Sequence, residues 1–332
     1  MPAGSQYILD SPLPVLLGHL LGIQSLLGVG LLMLGYILFA PMVLVALWGS
    51  GKLSIGQAIS VAAVFCVLPT WKVLFQYFGK PDGLVIALAA LIVLTSNRKV
   101  FFTAGILLVT VHLQIGIAIL FSVALLDWPH RDRRWLLILA GATGVGAAKL
   151  TQLLLGATGH RGRMAYVLGL WKEGPPSVSP WLLVALVGAL GGAWMWLAQR
   201  YRFETLGGQA RLVLAVLAAV VLSLIAVDTS RDMFLLGAPI VLWSQRERVL
   251  RGGVDPLRPA FLALALICLP FPDVLGGKIR ENPLRFPSRL SNYFSPTLRL
   301  GENVGFRPLE PNRNGDPNRA AQREKPWAVK PL

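Results

Sequence analysis

The chain has 332 residues, 55% of them hydrophobic and only 14% charged, with a formal net charge of +15 and a mean hydropathy of +0.62. Soluble domains carry about 25% charged residues, so this composition excludes a soluble globular domain, and the apolar content excludes a disordered chain. Apolar runs recur from Ser25 to Phe271, which predicts an all-α, polytopic bundle of transmembrane helices at 1–272 with an extended basic tail at 273–332.

In chain order, MPAGSQYILDSP lacks the basic and apolar regions of a secretory signal, so either the chain begins outside the cytoplasm or a helix precedes it. Residues 13–24 read as an interfacial helix, because a run from 13 to 49 far exceeds the ~20 residues of one crossing and His19 and Gln24 interrupt it. Four basic clusters then constrain the topology: Arg98 with Lys99; Arg131, Arg133 and Arg134; Arg200, Arg202 and Arg211; and Arg246, Arg248, Arg251 and Arg258. The positive-inside rule places all four in cytoplasmic loops, so an even number of crossings separates each neighbouring pair. The segments that satisfy this are 25–49, 56–70 and 83–95, then a hairpin with legs 100–111 and 114–127, then 135–157, 181–198, 212–227, 233–244 and 259–271. About ten membrane segments result, some short or re-entrant, with both termini outside.

Each hairpin leg holds about a dozen residues and reaches about 18 Å, against roughly 30 Å of hydrocarbon. His112 and Gln114 at the turn are therefore expected below the outer surface, inside protein. Only about 14 residues separate Arg231 from Arg246, which similarly recesses Asp228 and Arg231. Beyond 272 the tail holds eight prolines and eleven Lys or Arg against six acids, a composition that favours extended or disordered chain. Cys66 and Cys268 sit in apolar runs and give neither a disulfide framework nor a metal site.

Away from the basic clusters, the ionisable residues near the apolar runs are Asp10, Lys72, Lys80, Asp82, His112, Lys149, Asp228, Arg231 and Asp232, and this topology puts all of them on the outer side. Arg231 offers a fork of donors suited to phosphate, which Asp228 could orient, or the two form an intramembrane ion pair. Lys80 either contacts a phosphate oxygen or snorkels from an ordinary turn, and Asp82 suits the first turn of a helix behind Pro81. His112 and Gln114 suit sugar hydroxyls or phosphate, or simply satisfy a hairpin apex. Lys149 either snorkels or faces the same recess. Asp10 is placed to act as a general base, or to start the interfacial helix. There is no Walker loop, GxGxxG, HExxH or Cys/His cluster, so hydrolysis of a soluble nucleotide is not expected. The tail lacks the interleaved aromatics of a nucleic-acid site, so nucleic acid is not an expected partner and membrane lipids are.

With GKPDG at 79–83, VHLQ at 111–114 and DTSR at 228–231, the chain resembles the GT-C class of polytopic membrane glycosyltransferases over roughly Tyr7 to Phe271. That resemblance implies transfer of a sugar from a polyprenyl-phosphate donor to an envelope glycan, lipid or protein acceptor on the non-cytoplasmic face, in a bacterial inner membrane. It assigns Asp10 as the catalytic residue, a base or a metal ligand. It gives Lys80, Asp82, His112, Gln114, Asp228 and Arg231 to phosphate or sugar binding, and allows a divalent cation as cofactor. The class commonly carries two adjacent acids in its first outer loop, where this sequence has Asp10 alone. A transporter or channel, and a non-catalytic subunit of an envelope polysaccharide complex, are the competing expectations.

Overall fold

The computed structural model describes residues 11–23, 26–70, 73–74, 80–155, 180–225, 229–255, 257, 274–275 and 278–279. All of them belong to one compact unit, residues 1–289. Eleven helices run through them: α1 Pro12–Leu20, α2 Leu26–Gly49, α3 Ile55–Val67, α4 Asp82–Leu94, α5 Arg98–Val111 and α6 Leu113–Leu126, followed by α7 Arg131–Leu154, α8 Pro180–Leu190, α9 Trp194–Phe203, α10 Leu206–Ile225 and α11 Thr229–Arg251. A two-residue strand β1, Val274–Leu275, pairs antiparallel with β2, Lys278–Ile279. This is the one strand pairing among the described residues.

Local chemistry sets the ends of these helices. Ser54 and Gln57 form a capping box at the start of α3, which satisfies two otherwise unpaired backbone donors. The expected crossing 56–70 stops at Val67, because Leu68 precedes Pro69 and takes an extended conformation. Asn97 caps α5 by accepting from the backbone N–H groups of Lys99 and Val100. The expected single crossing 181–198 is broken: α8 ends at Leu190, and Gly191 turns the chain with φ +54 before a short 3-10 turn leads into α9. A side chain at Gly191 would be disfavoured by that left-handed backbone.

Three helices are long and apolar enough to cross a bilayer, Gly30–Gly49, Arg131–Leu154 and Leu206–Leu224, which makes this a membrane protein. They coincide with the expected crossings 25–49, 135–157 and 212–227. The expected segments 56–70, 83–95 and 114–127 correspond to shorter apolar helices, and 100–111 falls on α5. The expected segment 233–244 is the middle of α11, which runs unbroken for 23 residues despite Pro239. The basic clusters therefore sit in helical turns rather than loops: Arg131 to Arg134 open α7, Arg200 and Arg202 close α9, and Arg246 to Arg251 close α11. The segment 13–24, expected to lie at the interface, is helical over Pro12–Leu20 as α1. Segment 259–271 and the tail, apart from the strand pair, lie outside the described residues.

At the centre stands α11, packed by α4, α6, α8 and α10, and every residue from Arg231 to Leu242 is buried. The short hairpins α4–α5 and α5–α6 reverse direction twice beside it. His112 alone is non-helical between α5 and α6 (φ −151, ψ 99), and the two helices approach so closely there that a Cβ on Gly116 would lie 2.7 Å from the Leu108 carbonyl oxygen. The bundle thus has an arginine-rich end, holding the starts of α5 and α7 and the end of α11, and an opposite end with the starts of α4 and α11 and the apex at His112.

Helix length makes the opposite end uneven. α2 and α7 each have 24 residues, about 36 Å, whereas α4, α5 and α6 have 13 or 14, about 20 Å. Gly83 in the first turn of α4 packs on the backbone of Tyr36 and Ile37, where an added Cβ would overlap the Tyr36 carbonyl oxygen. Tyr36 is ten residues into α2, so α4 begins about 15 Å below the start of α2.

Candidate functional site

The first turn of α4 carries Asp82 and the first turn of α11 carries Arg231 and Asp232. Arg231 grips Asp82 with two parallel bonds: Nε donates to Oδ2 at 2.6 Å, and Nη2 donates to Oδ1. Nη1 donates to Asp232 Oδ1 at 3.2 Å. Asp82 is 1% exposed, and Arg231 and Asp232 are each 2% exposed. A bidentate guanidinium–carboxylate pair is the strongest arrangement these groups can make, and desolvation of both ions requires such geometry. Two carboxylates share one guanidinium, so removal of Arg231 would leave more uncompensated charge than removal of Asp82.

Several expected site residues do gather at this end of the bundle. His112 is buried at the α5–α6 apex, and Lys80 is half-buried just ahead of Pro81, whose carbonyl accepts from Val85 N–H in the first turn of α4. Lys149 is exposed on α7 and donates to Gln152 Oε1 at 3.1 Å. Gln114 corrects the expectation: it is exposed on the outside of α6, while Leu113 before it packs against the core and Ile115 after it is buried. Arg231 pairs with Asp82, 149 residues away in sequence; Asp228, like Asp10, lies outside the described residues. Ser11, next to Asp10, is buried, and α1 packs on α5 and α7.

Beside this cluster opens a cavity of about 560 Å³. Its walls are α2 from Ile37 to Leu47, α3 from Gln57 to Cys66 and α4 from Gly83 to Leu94, almost entirely apolar. Gly83 and Thr70 lie at one end; Lys52, Gln57, Thr95 and Asn97 lie at the arginine-rich end. α2 touches α4 at Gly83, and the cavity lies between the two beyond that contact, past Pro41 inside α2. Thr70 is 5% exposed, and its Oγ1 has no hydrogen-bond partner among the described residues. A cavity of this volume, with apolar walls and polar groups at its ends, has the dimensions of a ligand site.

Sequence reasoning set Asp232 on the same side as Arg231 without giving it a role, and it missed a second group at the arginine-rich end, built on Asp127. Asp127 is the one acid in an otherwise apolar run before Trp128, which was the available signal. Among the described residues no group of three or more His, Cys, Asp or Glu could hold a metal ion. No protein-family model matches the chain, and neither a curated protein nor a solved structure does.

Proposed function

We propose that this membrane protein is a glycosyltransferase of the GT-C kind, acting on a polyprenyl-phosphate-linked sugar at the end of the bundle that carries Asp82, Arg231 and His112. The observation that supports it is the apolar cavity beginning at Gly83, one residue from the buried Asp82–Arg231 pair. An isoprenoid chain would lie along α2, α3 and α4, and its phosphate would emerge beside the first turn of α4.

Arg231 is already held by Asp82 and Asp232, so its role in this reading is to position α4 against α11 rather than to receive phosphate. Lys80, half-exposed ahead of α4, supplies the cation that meets the phosphate as it departs from sugar C1. His112 shapes the recess, Asp10 takes the proton from the attacking acceptor hydroxyl, and the acceptor is an envelope glycan, lipid or protein.

A transporter reading has one observation in its favour: charge pairs stand at both ends of α11, Arg231 with Asp82 and Arg246 with Asp127. The α11 residues from Met233 to Leu242 between them are buried and apolar, with Pro239 and Gly237 included, and give no polar path along that helix.

Cys66 lines the cavity and is exposed, which supplies the test. In a Cys268→Ser background, a lipid-soluble maleimide should alkylate Cys66, and a polyprenyl-phosphate sugar should protect it. Lys80→Gln should weaken that protection, while protection by a polyprenol lacking phosphate should be unaffected by the substitution. Absence of protection by either lipid, or ion-coupled solute uptake by reconstituted protein, overturns the reading.

A further inference from the structure

The arginine-rich end of the bundle carries a second buried group that the proposed reaction does not use. Asp127, at the end of α6 and 2% exposed, accepts a hydrogen bond from Trp243 Nε1 at 2.9 Å and pairs with Arg133 Nε at 2.9 Å. Arg246, one turn after Trp243, reaches Asp127 Oδ1 only at 4.0 Å. From α9, Arg200 lies over the Trp243 ring, 5.2 Å from its centroid, and pairs with Glu204 at 2.5 Å. Three elements far apart in sequence thus converge on one indole.

The three arginines are not equivalent. Arg133 is consumed by structure: besides Asp127 it donates to the carbonyls of Ile92 and Thr95 at the end of α4 and lies over the Phe101 ring. Arg200 and Arg246 keep donors to spare. The Nε atoms of all three are buried without a hydrogen bond among the described residues, but that of Arg133 faces Asp127 Oδ2 at 2.9 Å, whereas those of Arg200 and Arg246 have no such contact, and their side chains are 30% and 20% exposed. Three guanidinium charges face two carboxylates, which leaves one positive charge in excess. Buried guanidinium N–H groups without acceptors are costly and call for an acceptor that the described residues do not supply.

We propose that Arg200 and Arg246 together bind a phosphate group beside the Trp243 indole. Phosphate supplies several acceptor oxygens and the missing negative charge, and arginine forks match its geometry. At a helix end beside a bilayer the phosphate belongs to the headgroup of an anionic phospholipid or to a soluble phosphate, and the two sources are separable by experiment. This site stands apart from the transferase reading, and failure of either leaves the other intact.

The test uses the full chain purified in detergent, with native mass spectrometry reading bound dioleoyl phosphatidylglycerol, dioleoyl phosphatidylcholine or inorganic phosphate. Phosphatidylglycerol should bind in preference to phosphatidylcholine. The Arg200→Gln/Arg246→Gln variant should bind it at least tenfold more weakly, while Arg202→Gln, which changes an exposed neighbour, should bind as the parent does. Inorganic phosphate bound with the same variant dependence, and no lipid preference, assigns the site to a soluble phosphate. Should the double Gln variant not fold, Arg200→Lys/Arg246→Lys keeps both charges and removes the forks, and a severalfold loss is expected. Parent-like binding in the foldable double variant, or an equal loss in Arg202→Gln, overturns the proposal.

Discussion

Arg231→Met would leave Asp82 and Asp232, both buried, without the guanidinium that neutralises them. Asp82→Leu removes one carboxylate and leaves Arg231 bonded to Asp232 at 3.2 Å. Removing one member of a buried pair costs about 3–5 kcal/mol, whereas replacing both with apolar residues is often neutral or stabilising. The expected order is therefore a loss of about 5 kcal/mol for Arg231→Met, about 3 kcal/mol for Asp82→Leu, and for the double variant less than for Arg231→Met, since one carboxylate fewer loses the guanidinium. Thermal unfolding in detergent measures this, and at roughly 2–4 °C per kcal/mol for a chain of this class Arg231→Met should fall by 10 °C or more. A midpoint within 2 °C of the parent, or a larger fall for Asp82→Leu than for Arg231→Met, would refute the shared-guanidinium account.

Gly83→Ala should destabilise the α2–α4 contact by about 1–3 kcal/mol, since its methyl overlaps the Tyr36 carbonyl, and the same unfolding assay reads it. Ala62→Trp, which fills the cavity from an exposed position on α3, should leave the unfolding midpoint within a few degrees and abolish protection of Cys66 by a polyprenyl-phosphate sugar. Asp127→Ala should cost about 3–5 kcal/mol by leaving Arg133 and Arg246 without their carboxylate, and the fluorescence of Trp243 should change with it. Substituting alanine for exposed Gln114 should move stability by no more than about 0.5 kcal/mol, while the same change at buried His112 should cost more, as side-by-side melts would show.

The length of apolar runs, the caps and the breakers act locally, so the sequence alone was enough to place the bundle in a membrane and to set most helix limits. Twenty-four consecutive residues from Leu26 contain no charge and must be helical in lipid, where every backbone group needs an internal partner. Asp82 behind Pro81 and the His112 break are equally local and were legible. The break at Gly191 was not, because glycines in an apolar run read the same in a straight helix as in a turned one, and the packing that would put an added Cβ 3.3 Å from the Val67 carbonyl oxygen exists only in the folded bundle. Charge partners were likewise undetermined. Asp82 is 149 residues from Arg231 and still pairs with it, because α4 and α11 pack side by side with their starts at the same level. Helix lengths fixed how deep each charge would lie; which opposite charge met it at that depth was decided by which helices became neighbours.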